Sequence, residues 1–380
     1  MPVVLSSPSL SLPRWARGGL AALLVLMSAA FAVACPLCYE AAQRTVTAGM
    51  QLDMADRVIL AAMDPSLHRF RIVSVVKGKD AVDDLITAPL TGGADALSAG
   101  THDPLLLIYD PVDSQWTSLG TIPVEFADWL RKLVATTLIK GDRPRQPWPV
   151  TMQTPASLSY AGWRQRVALI LPYLDNSNPL AARIAWGELA RAPYPALDVA
   201  RSHVDAATLA SWLSDPKLAS RHAACILLLG LTGSAADAEH LENQIETAWN
   251  AHDTTNLAAL IGADLELRGP SRIDWIESKY FADRNRTLPE IEAALLALNV
   301  HGDANRTVPR ERVIQAYRFF IRERPPMSGF VAPQLADWNY WDATADYEAL
   351  LNAKTLKDPA SEFAVVTYLR RAASAKAALQ

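Results

Sequence analysis

Three places in this 380-residue chain combine residue types that can do chemistry. The first is Cys35-Pro36-Leu37-Cys38. A Cys-x-x-Cys pair can cycle between dithiol and disulfide, and its first thiolate is favoured where it opens a helix. The second is His222 with Cys225, one helical turn apart, the residue types of a base and a sulfur nucleophile. The third is "ADWNYWDATADY", Ala336 to Tyr347, which packs Trp338, Tyr340, Trp341 and Tyr347 into one short stretch. Rings of this kind dominate binding hot spots.

Each place has competing roles. Cys35 and Cys38 can serve as a redox or metal-handling pair. Alternatively, Cys35 is a lipid-attachment site, or a Cys35–Cys38 disulfide pins the new N-terminus. The redox motif normally follows a strand, and no strand precedes it here. Haem attachment needs His after the second Cys, and Tyr39 stands there. Zinc needs four ligands, whereas the 7 His are scattered from His68 to His301. No metal site and no cofactor are predicted. His222 and Cys225 sit on an apolar helix, where Cys behaves as a small buried hydrophobe. Trp338, Tyr340 and Trp341 form either a binding patch or inter-helix packing. The chain lacks Gly-x-Ser-x-Gly, P-loop, Gly-x-Gly-x-x-Gly, His-Glu-x-x-His and EF-hand patterns. Its carboxylates are spread along the helices in the manner of solvated faces. No catalytic residue is assigned beyond the candidate thiols of Cys35 and Cys38, and the protein is expected not to be an enzyme.

The segment before the first motif decides its context. Arg14 and Arg17 precede "GGLAALLVLMSAAFAVA". A basic region, an apolar core and a small-x-small end make a signal peptide over residues 1–34, cut before Cys35. "FAVAC" also fits a permissive lipidation box. Without that segment the chain has 34 Lys and Arg against 40 Asp and Glu. This mildly acidic balance argues against nucleic acid as a partner. Only 3 Cys exclude a disulfide framework. The expected location is the periplasm, the outer membrane's vicinity or the exterior, with membrane contact only through the signal segment or a lipid on Cys35.

The rest must position these residues. Residues 35–140 read as a β-rich domain with a terminal helix. "RVILAAM", "HRFRIVSVVKGKD" and "DPLLLIYD" carry the alternation or apolar density of strands. "LLLIY" fits a central strand, "TGGADALSAGTHD" a long loop, and Pro123 opens the helix "PVEFADWLRKLVATTL". Prolines crowd residues 141–156, which read as a linker. Residues 157–380 are helical and repeat. "LDNSNPLAARIAWGELARAP" and "LSDPKLASRHAACILLLGLTG" share an Asx-Pro helix start, a Leu-Ala pair and an Arg, at Arg183 and Arg221. "LKDPASEFAVVTYLRRA" repeats the opening. Asx before Pro is an N-cap followed by a residue whose missing N–H costs nothing. "TTNLAALIGADLELRG" and "LPEIEAALLALNVHG" add helices with Gly269 and Gly302 as expected C-caps. A spacing of 40 residues from Asp175 to Asp215 suggests stacked two-helix units.

These words resemble the second helix of a HEAT repeat, which implies an α-helical solenoid. Residues 35 to about 80, with the N-terminal Cys pair, "ADRVILAAM" and "FRIVSVVKG", are similar to the netrin-like module of metalloproteinase inhibitors, which implies an OB-type barrel. In that module the first spacing is Cys-x-Cys; here it is Cys-x-x-Cys. The Cys-Pro-x-Cys junction with "IYDPVDSQWTS", "ELARAPY" and "ALNVHGDANRTVPRERV" resembles an uncharacterised exported family known chiefly from planctomycetes. The expected fold is therefore α+β and multi-domain: a small OB/netrin-like β-barrel followed by a HEAT-like solenoid. The expected function is protein binding or scaffolding in the cell envelope, with an unknown protein partner. A thiol-disulfide redox or metal-handling role through Cys35/Cys38 and a netrin-type protease inhibitor are the alternatives.

Overall fold

The computed structural model describes residues 47–64, 66–92, 103–136 and 158–378. The expected signal segment, Cys35, Cys38 and the expected proline-rich linker lie outside the described residues. The fold is α+β, as expected. The described residues divide into two compact units, one from Gly49 to Gly162 and one from Trp163 onward.

The first unit opens with helix α1 (Ala48–Met54) and holds five strands: β1 (Val58–Asp64), β2 (Arg69–Lys77), β3 (Leu90–Thr91), β4 (Leu105–Asp110) and β5 (Gln115–Thr121). The sheet order is β2-β1-β4-β5-β3, antiparallel except for the parallel β3–β5 pair. "LLLIY" is central, between β1 and β5, as its unbroken apolar run demands. The two outer strands do not end in open edges along their whole length. Residues 83–91 bond to β2 at one end, where Ile72 N–H donates to Asp84 O (2.9 Å) and Ile86 N–H to Phe70 O (2.8 Å). At the other end Trp116 N–H donates to Pro89 O (2.8 Å). This one segment therefore links β2 to β5.

Alternation sorts the side chains. Ile59, Ala61, Ile72, Leu105, Leu107 and Trp116 share one core. Val58, Leu60 and Leu106 are equally buried on the opposite side of their strands. Helix α2 (Ala127–Ala135) packs on β2 and buries Trp129, Leu130 and Leu133. β5 escaped the sequence reading, because in "QWTSLGT" only Trp116 and Leu119 are apolar and buried.

The second unit is helical: α3 (Tyr160–Ile170), α4 (Pro179–Arg191), α5 (Ala206–Leu213), α6 (His222–Thr232), α7 (Ala235–Ala251), α8 (Leu257–Arg268), α9 (Arg272–Ile276), α10 (Leu288–Ala304), α11 (Arg310–Glu323), α12 (Ala332–Asp337), α13 (Thr344–Asn352) and α14 (Pro359–Ala377). Tight 3-10 turns cover 194–202, 216–221 and 325–331, and a π-helical turn covers 277–282. The three Asx-Pro starts behave as caps. Asn178 accepts from Leu180 and Ala181 N–H, Asp215 from Lys217 N–H, and Asp358 from Ser361 N–H.

In the middle of this unit α6 packs on α8 and α8 on α10. α6 is buried nearly all round, with Ala223 through Leu231 inside. The approach of α6 to α8 is close because position 230 lacks a side chain. A Cβ on Gly230 would stand 2.6 Å from Ala263 Cα. Gly269 caps α8 at φ +75, as expected, but Gly302 does not end α10. Asn305 ends it in the left-handed region, φ 49. Gly302 instead makes room for an indole, since a Cβ there would stand 2.3 Å from Trp338 Cη2.

Candidate functional site

The densest polar cluster joins four helices to the 194–202 turn. "YPALDVARS" winds as a 3-10 segment that follows Pro193. It carries a buried Tyr194, a partly buried Asp198 and an exposed Arg201. Glu266 of α8 receives three of the neighbours. Tyr194 Oη donates to Glu266 Oε2 (3.1 Å), while Arg201 Nη2 (2.5 Å) and Thr307 Oγ1 (2.8 Å) donate to Oε1. Arg201 also donates to Leu231 O of α6. His301 of α10 donates through Nε2 to Gly262 O (2.8 Å) and meets the Tyr194 ring edge at 5.2 Å. Beside it, Asp198 pairs with Arg164 of α3 and with Arg306, whose Nη1 lies 2.9 Å away. Burial opposes the Asp198 charge, but hydrogen bonds from Arg164 and Arg306 outweigh it and hold the carboxyl below its ordinary value.

Three further ion clusters are buried. Glu188 of α4 binds Arg166 and Arg191 (2.6 Å). Burial alone would raise Glu188, and the two guanidiniums overcome it. Asp264 of α8 accepts from Arg268 Nε (2.9 Å) and Arg272 Nε (2.5 Å), and both arginines reach Glu242 of α7. Here burial prevails and pushes Asp264 up. Glu290 closes a capping box with Thr287, binds Arg286 (2.7 Å) and accepts from His252 (3.1 Å). These carboxylates correct the expectation that acids on the helices mark solvated faces. Their signal was available: "AWGELAR" and "IGADLELR" place an acid inside an otherwise apolar helical run, where only pairing makes it tolerable.

None of these clusters offers a solvated nucleophile. Each carboxylate is occupied by donors from its own helix or cap and from neighbouring segments, so the arrangement cross-links rather than reacts. Cys225 is buried, and burial pushes its thiol up to about 12. It stays protonated near neutral pH and cannot act as a thiolate. His222 Nε2 is buried with no hydrogen-bond partner. The candidate aromatic residues come together in part. Trp338 stacks on Tyr317 at 5.7 Å, lies under Arg310 at 5.3 Å and donates Nε1 to Asp303 (2.8 Å). Trp341 tilts against Tyr368 at 5.4 Å, and Tyr368 Oη donates to Tyr340 O (2.7 Å). All three candidate rings are half-buried, so they are packed on one side and solvated on the other. The Cys35–Cys38 candidates for redox, disulfide or lipid lie outside the described residues.

Among the described residues no three His, Cys, Asp or Glu gather as a metal-binding group, and no helix is long and apolar enough to cross a membrane. Comparison with protein-family models, with curated proteins and with solved structures finds no match to this chain.

Proposed function

We propose that the chain is an exported cell-envelope protein whose helical unit binds a protein partner as a scaffold. The observation that carries this reading is the stacking of α6 on α8 on α10, flanked by buried ion clusters. Stacked helix pairs of this kind present extended surfaces on which binding, rather than chemistry, is the usual work. On this reading the unit is a HEAT-like solenoid. Arg221, at the repeated arginine position, reaches back over the Trp186 ring of α4 at 5.2 Å, which supports the comparison. Trp338, Tyr340 and Trp341 supply the rings for a contact.

The first unit reads as an OB/netrin-like barrel. The 83–91 segment that links β2 to β5, with a parallel β3–β5 pair, supports it. A netrin-type protease inhibitor is therefore the second reading, tested by titrating the exported protein against a metalloproteinase.

Two measurements test the main reading. Intact mass of protein recovered from the envelope separates an acylated Cys35, a Cys35–Cys38 disulfide lighter by two hydrogens, and free thiols. Retention of residues 1–34 would contradict export by cleavage. A pull-down from envelope extract with the full chain, washed over a salt series, is expected to retain one reproducible protein. Loss of every protein at moderate salt would contradict scaffolding.

A further inference from the structure

We propose that His301 is a proton-sensitive latch, through which α10 holds α8 and the 194–202 turn together and releases them on acidification.

The geometry fixes the neutral ring. His301 is 1% exposed and sits where three segments meet. Its Nε2 N–H is committed to the Gly262 carbonyl at 2.8 Å, so the other nitrogen, Nδ1, is bare in the neutral ring. Nδ1 lies 3.8 Å from Glu266 Oε2, beyond hydrogen-bond reach. That oxygen already accepts from Tyr194 Oη, and its companion accepts from Arg201 and Thr307. A proton on Nδ1 therefore creates a buried N–H donor with no partner in reach. To supply one, Glu266 or the ring must move by about 1 Å, the gap between this distance and an ordinary hydrogen bond. Glu266 cannot shift without disturbing Tyr194, Arg201 and Thr307, which are the contacts that join the turn to α8.

The charged surroundings do not compensate. From α8 only Glu266 faces the ring, and from the 194–202 turn come the Tyr194 hydroxyl and, across Glu266, the Arg201 guanidinium. Neither α11 nor the 277–282 turn, both packed on α10, adds a charge that acts on the ring. Burial pushes the imidazole down, and the Gly262 carbonyl and Glu266 offset this only in part. The sign follows. A histidine held below its unfolded value of about 6.5 contributes stability that is complete above that pH. This stability is lost as the pH falls toward the folded value, because the unfolded chain takes up a proton that the native chain resists.

The test is amide hydrogen exchange on the full chain at about pH 7.5 and about pH 5.5, corrected for intrinsic exchange. One proton gives up to about tenfold per pH unit. Peptides from 194–202, 257–268 and 288–304 are expected to lose several-fold protection at the lower pH, and His301→Gln, whose amide can still donate to Gly262 O, is expected to lose far less. Equal losses in both proteins, or none in the wild type, would overturn the latch. Should His301→Gln fail to fold, nuclear magnetic resonance titration of the wild-type His301 ring decides. A ring still mostly neutral at about pH 6 supports the latch, and a ring mostly imidazolium at that pH overturns it.

Discussion

At the scale of single residues, buried charge organises the second unit. Arg166 and Glu188 are both enclosed, and Arg191 completes the pair. Burying an ion pair adds little stability by itself, but removing one partner leaves a naked charge. Glu188→Leu, which takes the shared carboxylate from both guanidiniums, is therefore expected to cost about 3–5 kcal/mol in urea unfolding, with much of it recovered when Arg166→Met and Arg191→Met are added. No recovery would mean that Glu188 acts by packing alone. Cys225 makes the opposite point. Its thiol is enclosed and pushed up to about 12, so a disulfide reagent is expected to leave it unmodified in the native protein and to label it fully in denaturant. Rapid native labelling would show that α6 opens. The sequence marked Cys225 as a small buried hydrophobe beside His222, which was legible from the apolar run around them. It did not mark Glu266, Asp264 or Glu290. Glu266 and Glu290 depend on donors 35 or more positions away, such as Arg201 for Glu266 and His252 for Glu290, and no local pattern encodes such a meeting, whereas Asp264 is paired by the nearby Arg268 and Arg272.

At the scale of elements, most starts and stops were legible and the contacts were not. Asn178, Asp215 and Asp358 cap their segments because an Asx before Pro leaves few other conformations. Asp358→Ala removes the acceptor of Ser361 N–H and is expected to cost about 1 kcal/mol, read as a lower melting temperature. Gly302 shows where local reading failed. Glycine after an apolar helical run looks like a C-cap, yet here a tertiary neighbour decides. The Trp338 indole occupies the space a side chain would need. Gly302→Ala is expected to displace the indole, cost about 1–3 kcal/mol as overpacking does, and change tryptophan fluorescence. Unchanged emission and stability would mean that the indole has room to move. In the first unit, β1, β2 and β4 were legible by alternation or apolar density. β5 was not, since its place comes from pairing with β4 and β3 rather than from its own composition.

At the scale of the whole molecule, stability should respond to acid in two stages. The first is His301, below about pH 6.5. The second is the set of carboxyls held low by their partners: Asp198, Glu188 and Glu290. Groups held low contribute stability above their unfolded values, and this is lost as pH falls below about 4. Asp264, held high by burial, works against this trend. Urea midpoints of the second unit are thus expected to decline on both steps, and a flat profile from about pH 7 to about pH 3 would contradict the assignment of these groups. The central claim is that the stacked helices form a protein-binding surface in the envelope. The most direct measurement is chemical cross-linking of the full chain in intact envelopes, followed by mass-spectrometric mapping. One recurrent protein is expected, cross-linked at positions confined to helices of residues 158–378. Cross-links confined to the first unit, or spread over many proteins with none recurring, would contradict it.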